Sequence, residues 1–172
     1  MADEQGKIDW FFPDIRTIIP LNNYNIPRSL KIFLRKCDFK FAFDKETMTV
    51  IKHCAARKET WISDELINGY AELERLGFLH SVSVYQSQKL VGGLYGVSYK
   101  GAFFGESMFS QVSQASKSAL VILIERLNQR HFALLDVQYQ TEHLKMFGAK
   151  EINLNQFDEL LLRAYNLNVN LN

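Results

Sequence analysis

A long helix set between two strand-like runs constrains this chain most. From Ser113 to about Gln129 the apolar residues Ala119, Leu120, Leu123 and Leu127 recur at helical spacing. Ala102 to Glu106 before it and Ala133 to Gln138 after it are short apolar runs with strand character. Ahead of them, Ser81 to Tyr85 and Leu90 to Tyr99 read as a hairpin turning near Ser87-Gln88, and Gly101 marks a further turn. Short antiparallel turns followed by a crossover helix predict an α+β fold. The expected architecture is a mixed, mainly antiparallel sheet with packed helices.

The flanking segments complete the outline. Residues 1–27 read as irregular or extended, with Trp10, Phe11 and Phe12 clustered before Pro13. Ser29 to about Lys36 is a short helix with Arg28, Lys31 and Arg35 on one face and Leu30, Phe33 and Leu34 on the other. Phe39 to Phe43 alternates as a strand does, and Lys45 to Ala56 reads as helical. Ser63 suits an N-cap, with Asp64 and Glu65 in the first turn, where the helix dipole favours acids. Leu66, Ile67, Tyr70, Leu73 and Leu76 then form an apolar stripe that Gly77 ends. Ser113 is the expected cap of the long helix, Gly148 closes a short helical piece, and Asn155 caps a final helix. The boundary expected from this pattern separates an N-terminal lobe, 1–60, from a catalytic domain, 61–172.

Composition excludes several classes. The net charge of +1 leaves no global nucleic-acid signature, so any basic surface is local. The two cysteines, Cys37 and Cys54, have neither metal spacing nor a disulfide framework. The longest apolar run, Ala119 to Ile124, falls far below the roughly 20 residues needed to span a bilayer. No apolar leader follows Asp3 and Glu4, and a cytoplasmic protein that does not engage a membrane is expected.

Three polar side chains stand out against this background. Asp136 and Gln138 lie two apart on a predicted strand, so both point to one face. Glu106 follows Gly105 at the end of the strand before the helix. Acids in apolar stretches are costly unless paired, hydrogen-bonded or used in chemistry. From spacing alone, the pattern reads first as a buried Asp satisfied by backbone amides and an ordinary strand-end Glu. Arg28, Lys31, Arg35, Lys36 and Lys40 face a single acid, Asp38, which fits either a solvated helix face or a phosphate-contacting patch. Gly92-Gly93 and Gly96 are spaced like strand glycines or a bulge, and no phosphate loop is present. His143 has too few neighbouring ligands for a metal site.

Taken together, several stretches resemble the leucyl/phenylalanyl-tRNA–protein transferase family. They are Glu59-Thr60-Trp61-Ile62, Leu90 through Val97, Phe104-Gly105-Glu106-Ser107-Met108-Phe109-Ser110, Ala115 through Leu120, Leu135-Asp136-Val137-Gln138, and His143 through Gly148-Ala149-Lys150-Glu151-Ile152. The resemblance implies an enzyme that takes Leu, Phe or, less well, Met from aminoacyl-tRNA. It attaches that residue to a protein beginning with Lys or Arg and so marks the protein for degradation. An aminoacyl ester is already activated, so no cofactor, nucleotide or metal is required. By family position Asp136 and Gln138 are the catalytic pair, with Asp136 polarising Gln138, and Glu106 anchors the cationic acceptor. The same likeness assigns Trp61, Leu94, Phe103, Met108, Leu120 and Leu123 to an apolar amino-acid pocket. It also assigns Thr141 and His143 to the acceptor peptide, and Arg28, Lys31 and Arg35 to the tRNA acceptor stem. The implied core is like that of the GCN5-related N-acyltransferases, whose element order the second half shares.

The family normally carries several dozen residues before the part matched here, so the chain reads either as a short form or as one whose start has been lost. Met1-Ala2-Asp3-Glu4 resembles the continuation of a loop that contributes to the amino-acid pocket. Phe12-Pro13-Asp14-Ile15-Arg16 departs from the family's usual Ser-Pro-Asp-Pro-Arg, and Thr141 stands where some members have Asn. Two other readings stay open. One is a non-catalytic binder of aminoacyl-tRNA or basic N-termini. The other is an acetyl-CoA-dependent N-acetyltransferase, although Gln111-Val112-Ser113-Gln114-Ala115-Ser116 holds no glycine where that fold has its pyrophosphate loop.

Overall fold

The computed structural model describes residues 13–57 and 60–171. Trp10, Phe11, Phe12, Glu59 and the Met1–Glu4 stretch lie outside them. The elements run β1 (Ile15–Ile18), α1 (Arg28–Lys36), β2 (Lys40–Phe43), α2 (Thr47–Ala55), α3 (Asp64–Arg75), β3 (Leu79–Gln86), β4 (Lys89–Tyr99), β5 (Ala102–Ser110), α4 (Ala115–Gln129), β6 (Leu134–Gln138), α5 (Glu142–Lys145), β7 (Lys150–Asn153) and α6 (Leu154–Tyr165). The strands form one seven-stranded sheet in the order β2-β3-β4-β5-β6-β1-β7. Among the described strands only β5 and β6, joined through α4, run parallel; the other pairs are antiparallel. The fold is therefore α+β with a mixed, mainly antiparallel sheet, as the element order predicts. Strands β1 and β2 belong to this same sheet, so the line drawn at residue 60 passes through a continuous layer.

Helices cover both faces. Alternation along β4 shows it: Leu94 joins the cluster built by α4 and α1, while its neighbour Tyr95 joins the cluster built by α2 and α3. α4 buries Ala115, Ser118, Ala119, Leu120, Val121, Leu123, Ile124 and Leu127. Each large apolar side chain removed from water there contributes about 1.5–3 kcal/mol, which outweighs the helix's imperfect start. α6 closes the far end of the sheet through Phe157 and Ala164 against Ile18, Ala102, Leu134 and Ile152.

Several local expectations are corrected. The N-cap of α4 is Gln114, at φ +70° and without a side-chain cap bond, rather than Ser113. The missing cap comes from the neighbouring strand: Ser116 N–H donates to Ser110 Oγ at 3.3 Å. The N-cap of α6 is Asn153, two residues before Asn155, because Asn153 and Gln156 close a capping box there. Leu76 leaves the apolar stripe of α3 and is 50% exposed. β5 continues to Ser110, so Glu106 sits inside the strand and not at its end.

Two short strands build the sheet edge beside β6: β1, within the stretch read as irregular or extended, and β7, which the sequence pattern leaves unassigned. The turn at Ser87-Gln88 is as expected, with both residues at positive φ, 49° and 66°, the conformation that suits a tight hairpin.

Candidate active site

The two parallel strands pair only as far as Phe104 and Asp136. Beyond that rung β5 stays with β4, while β6 turns away through Gln138 at φ +64°. A split between neighbouring strands exposes backbone and side chains from both faces of the sheet. The polar residues singled out in the sequence meet at this split.

Glu106 reaches it by a β-bulge. Tyr95 pairs with Ser107 and Gly96 with Gly105, so Glu106 is the extra residue of β5. Gly96 makes the bulge possible, because a Cβ there would lie 2.3 Å from Phe104 O and 2.5 Å from Phe103 Cε1. Bulges bend a strand and re-aim a side chain. The Glu106 carboxylate accepts from Tyr70 Oη at 3.1 Å and from Gln138 Nε2 at 3.4 Å, both on Oε2. Gln138 Nε2 also reaches Gly105 O at 3.4 Å. Burial pushes the Glu106 carboxyl above the usual carboxylate range, the hydrogen bonds from Tyr70 and Gln138 oppose the rise, and Asp136 adds to it. Burial likewise raises the Tyr70 hydroxyl, with Glu106 beside it adding to the effect, so Tyr70 stays a donor at neutral pH.

Asp136 is held differently. It has no exposed surface and forms an ion pair with Arg16 of β1. Its Oδ1 accepts the backbone N–H of Gln138 at 2.9 Å. A left-handed backbone costs a residue with a Cβ about 1–2 kcal/mol. A hydrogen bond to a charged group returns about 1.5–3 kcal/mol, so the contact to Asp136 is enough to hold Gln138 in that conformation. Arg16 also lies over the Phe157 ring, 5.0 Å from its centre.

The cleft at the split has a volume of about 700 Å³. Its apolar lining includes Leu94, Met108, Leu120, Leu123, Leu135 and Phe147. Among the described lining residues Glu106 is the one acid, alongside His53, Arg57, Lys117 and His143. Arg57 is fixed at the mouth by hydrogen bonds to the carbonyl of Met108 and to Ser107 Oγ. Among the described residues no cluster of three or more His, Cys, Asp or Glu is arranged to hold a metal ion.

Most of the expected site residues come together here. Glu106, Gln138, Leu94, Met108, Leu120, Leu123, Thr141 and His143 all line the cleft. Three do not. Phe103 has the right face but sits one layer too low, where β5 still pairs with β6 at Leu135, and is fully buried. Trp61 packs against the cluster of α2 and α3. Asp136 lies behind the cleft wall, and it acts on the main chain of Gln138 rather than on its amide side chain. Arg28, Lys31 and Arg35 lie on α1, outside the cleft lining. Thr141 Oγ1 caps α5 by accepting Leu144 N–H at 3.3 Å.

Sequence reasoning missed Tyr70, Arg57 and Arg16. A hydroxyl at a buried stripe position was the signal for Tyr70; the others gave none that spacing reveals.

Comparisons agree on one family. The family model described as leucyl/phenylalanyl-tRNA protein transferase matches residues 18–162. Curated proteins named leucyl/phenylalanyl-tRNA–protein transferase from Salinibacter ruber, Herpetosiphon aurantiacus and Phenylobacterium zucineum are 46%, 45% and 47% identical to the chain. The alignments cover 94%, 94% and 95% of this chain and 72%, 85% and 77% of those relatives. Among solved structures, a functionally unknown conserved protein from Staphylococcus epidermidis overlays at a TM-score of 0.49 with 10% identity, over 81% of this chain and 57% of that one. That overlay is too loose to carry a functional argument.

Proposed function

The chain belongs to the leucyl/phenylalanyl-tRNA–protein transferase family, and we propose that its cleft transfers a leucyl, phenylalanyl or, less readily, methionyl group from tRNA to proteins beginning with Lys or Arg. The product then carries an N-terminus that directs it to degradation. One observation carries this reading: a carboxylate and an amide, Glu106 and Gln138, face each other in a cleft with an apolar wall and several basic side chains.

The reaction forms one bond and breaks one. The α-amino nitrogen of the acceptor attacks the ester carbonyl carbon, the bond to the ribose oxygen breaks, and a proton passes from nitrogen to that oxygen. The amine must be neutral to attack, and its unperturbed pKa is about 8. An amide does not accept that proton, so Gln138 serves by position. Its Nε2 faces Glu106, which leaves Oε1 for a hydrogen bond from the incoming amine. Holding amine and ester in line is worth several orders of magnitude in rate. Glu106 attracts the cationic acceptor end, and low local polarity strengthens that attraction.

The side chain delivered by tRNA occupies the apolar lining of Leu94, Met108, Leu120 and Leu123. Met108 is unbranched and adapts to Leu, Phe or Met. One methylene in such a pocket is worth only about 1–3 kcal/mol, so selectivity among these three is moderate. Arg28, Lys31 and Arg35 on α1 supply phosphate contacts that position the tRNA without reading its sequence. Nothing in the cleft favours the acetyl-CoA alternative.

The test is transfer from Phe-tRNA or Leu-tRNA to short peptides that differ only in their first residue. Product with Lys or Arg first, and little with Asp first, is the expected result. Equal product with an acidic first residue contradicts the reading.

A further inference from the structure

Arg16 and Asp136 stand 120 residues apart and meet behind the cleft wall. Neither lines the cleft. Asp136 has no exposed surface and Arg16 only a fifth of its side chain, 21%. Burying such a pair is costly, and burying one member alone costs more. What the pair holds is specific. One Asp136 oxygen takes the guanidinium; the other takes the Gln138 N–H at 2.9 Å. That second bond sits at the residue where β6 leaves the sheet with φ +64°. From there the Gln138 side chain turns to Glu106 and Gly105 O. β1 adds a further tie, since Thr17 registers with Gln138 and Ile18 with Asp136, with an irregularity between them.

We propose that Arg16 is a positioning residue of the transfer reaction: by anchoring the Asp136 carboxylate it fixes the left-handed turn that points the Gln138 amide at Glu106. The inference rests on the transferase reading above. It makes Asp136 a positioning residue as well, one that never meets the substrate. Removing the guanidinium leaves a bare carboxylate with no exposed surface. That carboxylate cannot stay where it is, and its hold on the Gln138 amide loosens. The acceptor then loses alignment with the ester, while the apolar lining and the α1 cations that bind aminoacyl-tRNA are untouched.

The experiment compares wild type, Arg16→Met, Arg16→Lys and Phe157→Leu in steady-state transfer from Phe-tRNA to a Lys-first peptide, with Tm measured for each. Arg16→Met should lose about 30-fold or more in kcat with KM for Phe-tRNA within about threefold, because displacements near 1 Å cost about 10²-fold. Arg16→Lys keeps the charge without the fork and should recover part of kcat. Phe157→Leu removes only the ring under the guanidinium and should keep kcat within about threefold. A second readout is the Gln138 backbone amide in a ¹⁵N–¹H spectrum. It should shift and exchange faster in Arg16→Met and move back in Arg16→Lys, as the charge-assisted bond is lost and partly regained. A folded Arg16→Met with wild-type kcat, or an unshifted Gln138 amide in it, overturns the proposal. If Arg16→Met does not fold, an Arg16→Lys variant equal to wild type in kcat but lower in Tm overturns it too, since that pattern belongs to a merely structural pair. Wild type that shows no transfer at all sinks the transferase reading instead, and the Gln138 amide shift still decides the role of Arg16.

Discussion

Replacing Gly96 by Ala tests whether the bulge at Glu106 makes the site. A Cβ at residue 96 would stand 2.3 Å from Phe104 O and 2.5 Å from the Phe103 ring. Phe104 O is backbone and Phe103 has no exposed surface, so neither can step aside without moving β5. Overpacking of this kind costs about 1–3 kcal/mol, and more where a backbone must shift. In a domain of this size each kcal/mol moves Tm by about 2–4 °C. We therefore expect Tm to fall by about 2–12 °C. The bulge sets where Glu106 points, and an error near 1 Å in a reacting group costs about 10²-fold. So kcat/KM for a Lys-first peptide, measured well below the new Tm, should drop at least tenfold. Gly69→Ala is the matched control. Gly69 is exposed within α3, and nothing lies within 4 Å of its added Cβ. Ala there should raise stability by about 0.8–1 kcal/mol through helix propensity alone, with unchanged activity. A Gly96→Ala protein with wild-type Tm and activity would refute the reasoning. A loss of stability with full activity would show that the bulge does not aim Glu106.

Three further outcomes follow from the site. The Glu106 carboxyl is raised by burial, so kcat/KM for Lys-first peptides should show, below the fall caused by protonation of the acceptor amine at about pH 8, a second fall at a pH above the ordinary carboxylate range, and Glu106→Gln should abolish that second limb alone; a second limb that survives in Glu106→Gln would refute its assignment to Glu106. The sign for stability is the reverse of an ordinary paired acid. The folded state holds the Glu106 proton more tightly than the unfolded chain, so stability falls as pH rises from the usual carboxylate value to the raised one, and Glu106→Gln should be the more stable protein at neutral pH by thermal melts. Changing Arg28, Lys31 and Arg35 together to Ala should raise KM for aminoacyl-tRNA and flatten its salt dependence by about 0.7–0.9 for each phosphate no longer neutralised, leaving kcat near wild type; an unchanged salt slope would remove α1 from the tRNA path.

Much of the frame is legible in the sequence because most elements carry their own period. α4 between β5 and β6 is written in the spacing of Ala119, Leu120, Leu123 and Leu127. The β3–β4 hairpin is written in alternation plus a turn whose residues accept positive φ. What stays hidden depends on pairs of segments. The bulge at Glu106 is a property of the β4–β5 register, so β5 alone reads as ending there. It also resets alternation: Phe103 and Met108, an odd number of residues apart, pack against one cluster, and spacing alone puts them on opposite faces. The cap of α4 comes from Ser110 on a strand, which no local cap rule finds. β1 and β7, four residues each, are too short to show a period. Asp136 stands out in the sequence as an acid in an apolar strand, but its partner lies 120 residues away on β1. That separation is why Asp136 reads in the sequence as the polariser of the Gln138 side chain or as a buried acid met by backbone amides, and in the fold as the partner of Arg16.

Recognition of the cationic acceptor by Glu106 is the claim on which the proposed reaction turns. The direct measurement is kcat/KM for transfer from Phe-tRNA to Lys-first and Met-first peptides, in wild type and in Glu106→Gln. Truncating one partner of a buried charge pair costs about 2–5 kcal/mol, roughly 30-fold or more. Wild type should prefer the Lys-first peptide strongly. Glu106→Gln should lose most of that preference, chiefly by losing activity on Lys-first peptide. A Glu106→Gln enzyme that keeps the wild-type preference would contradict that role.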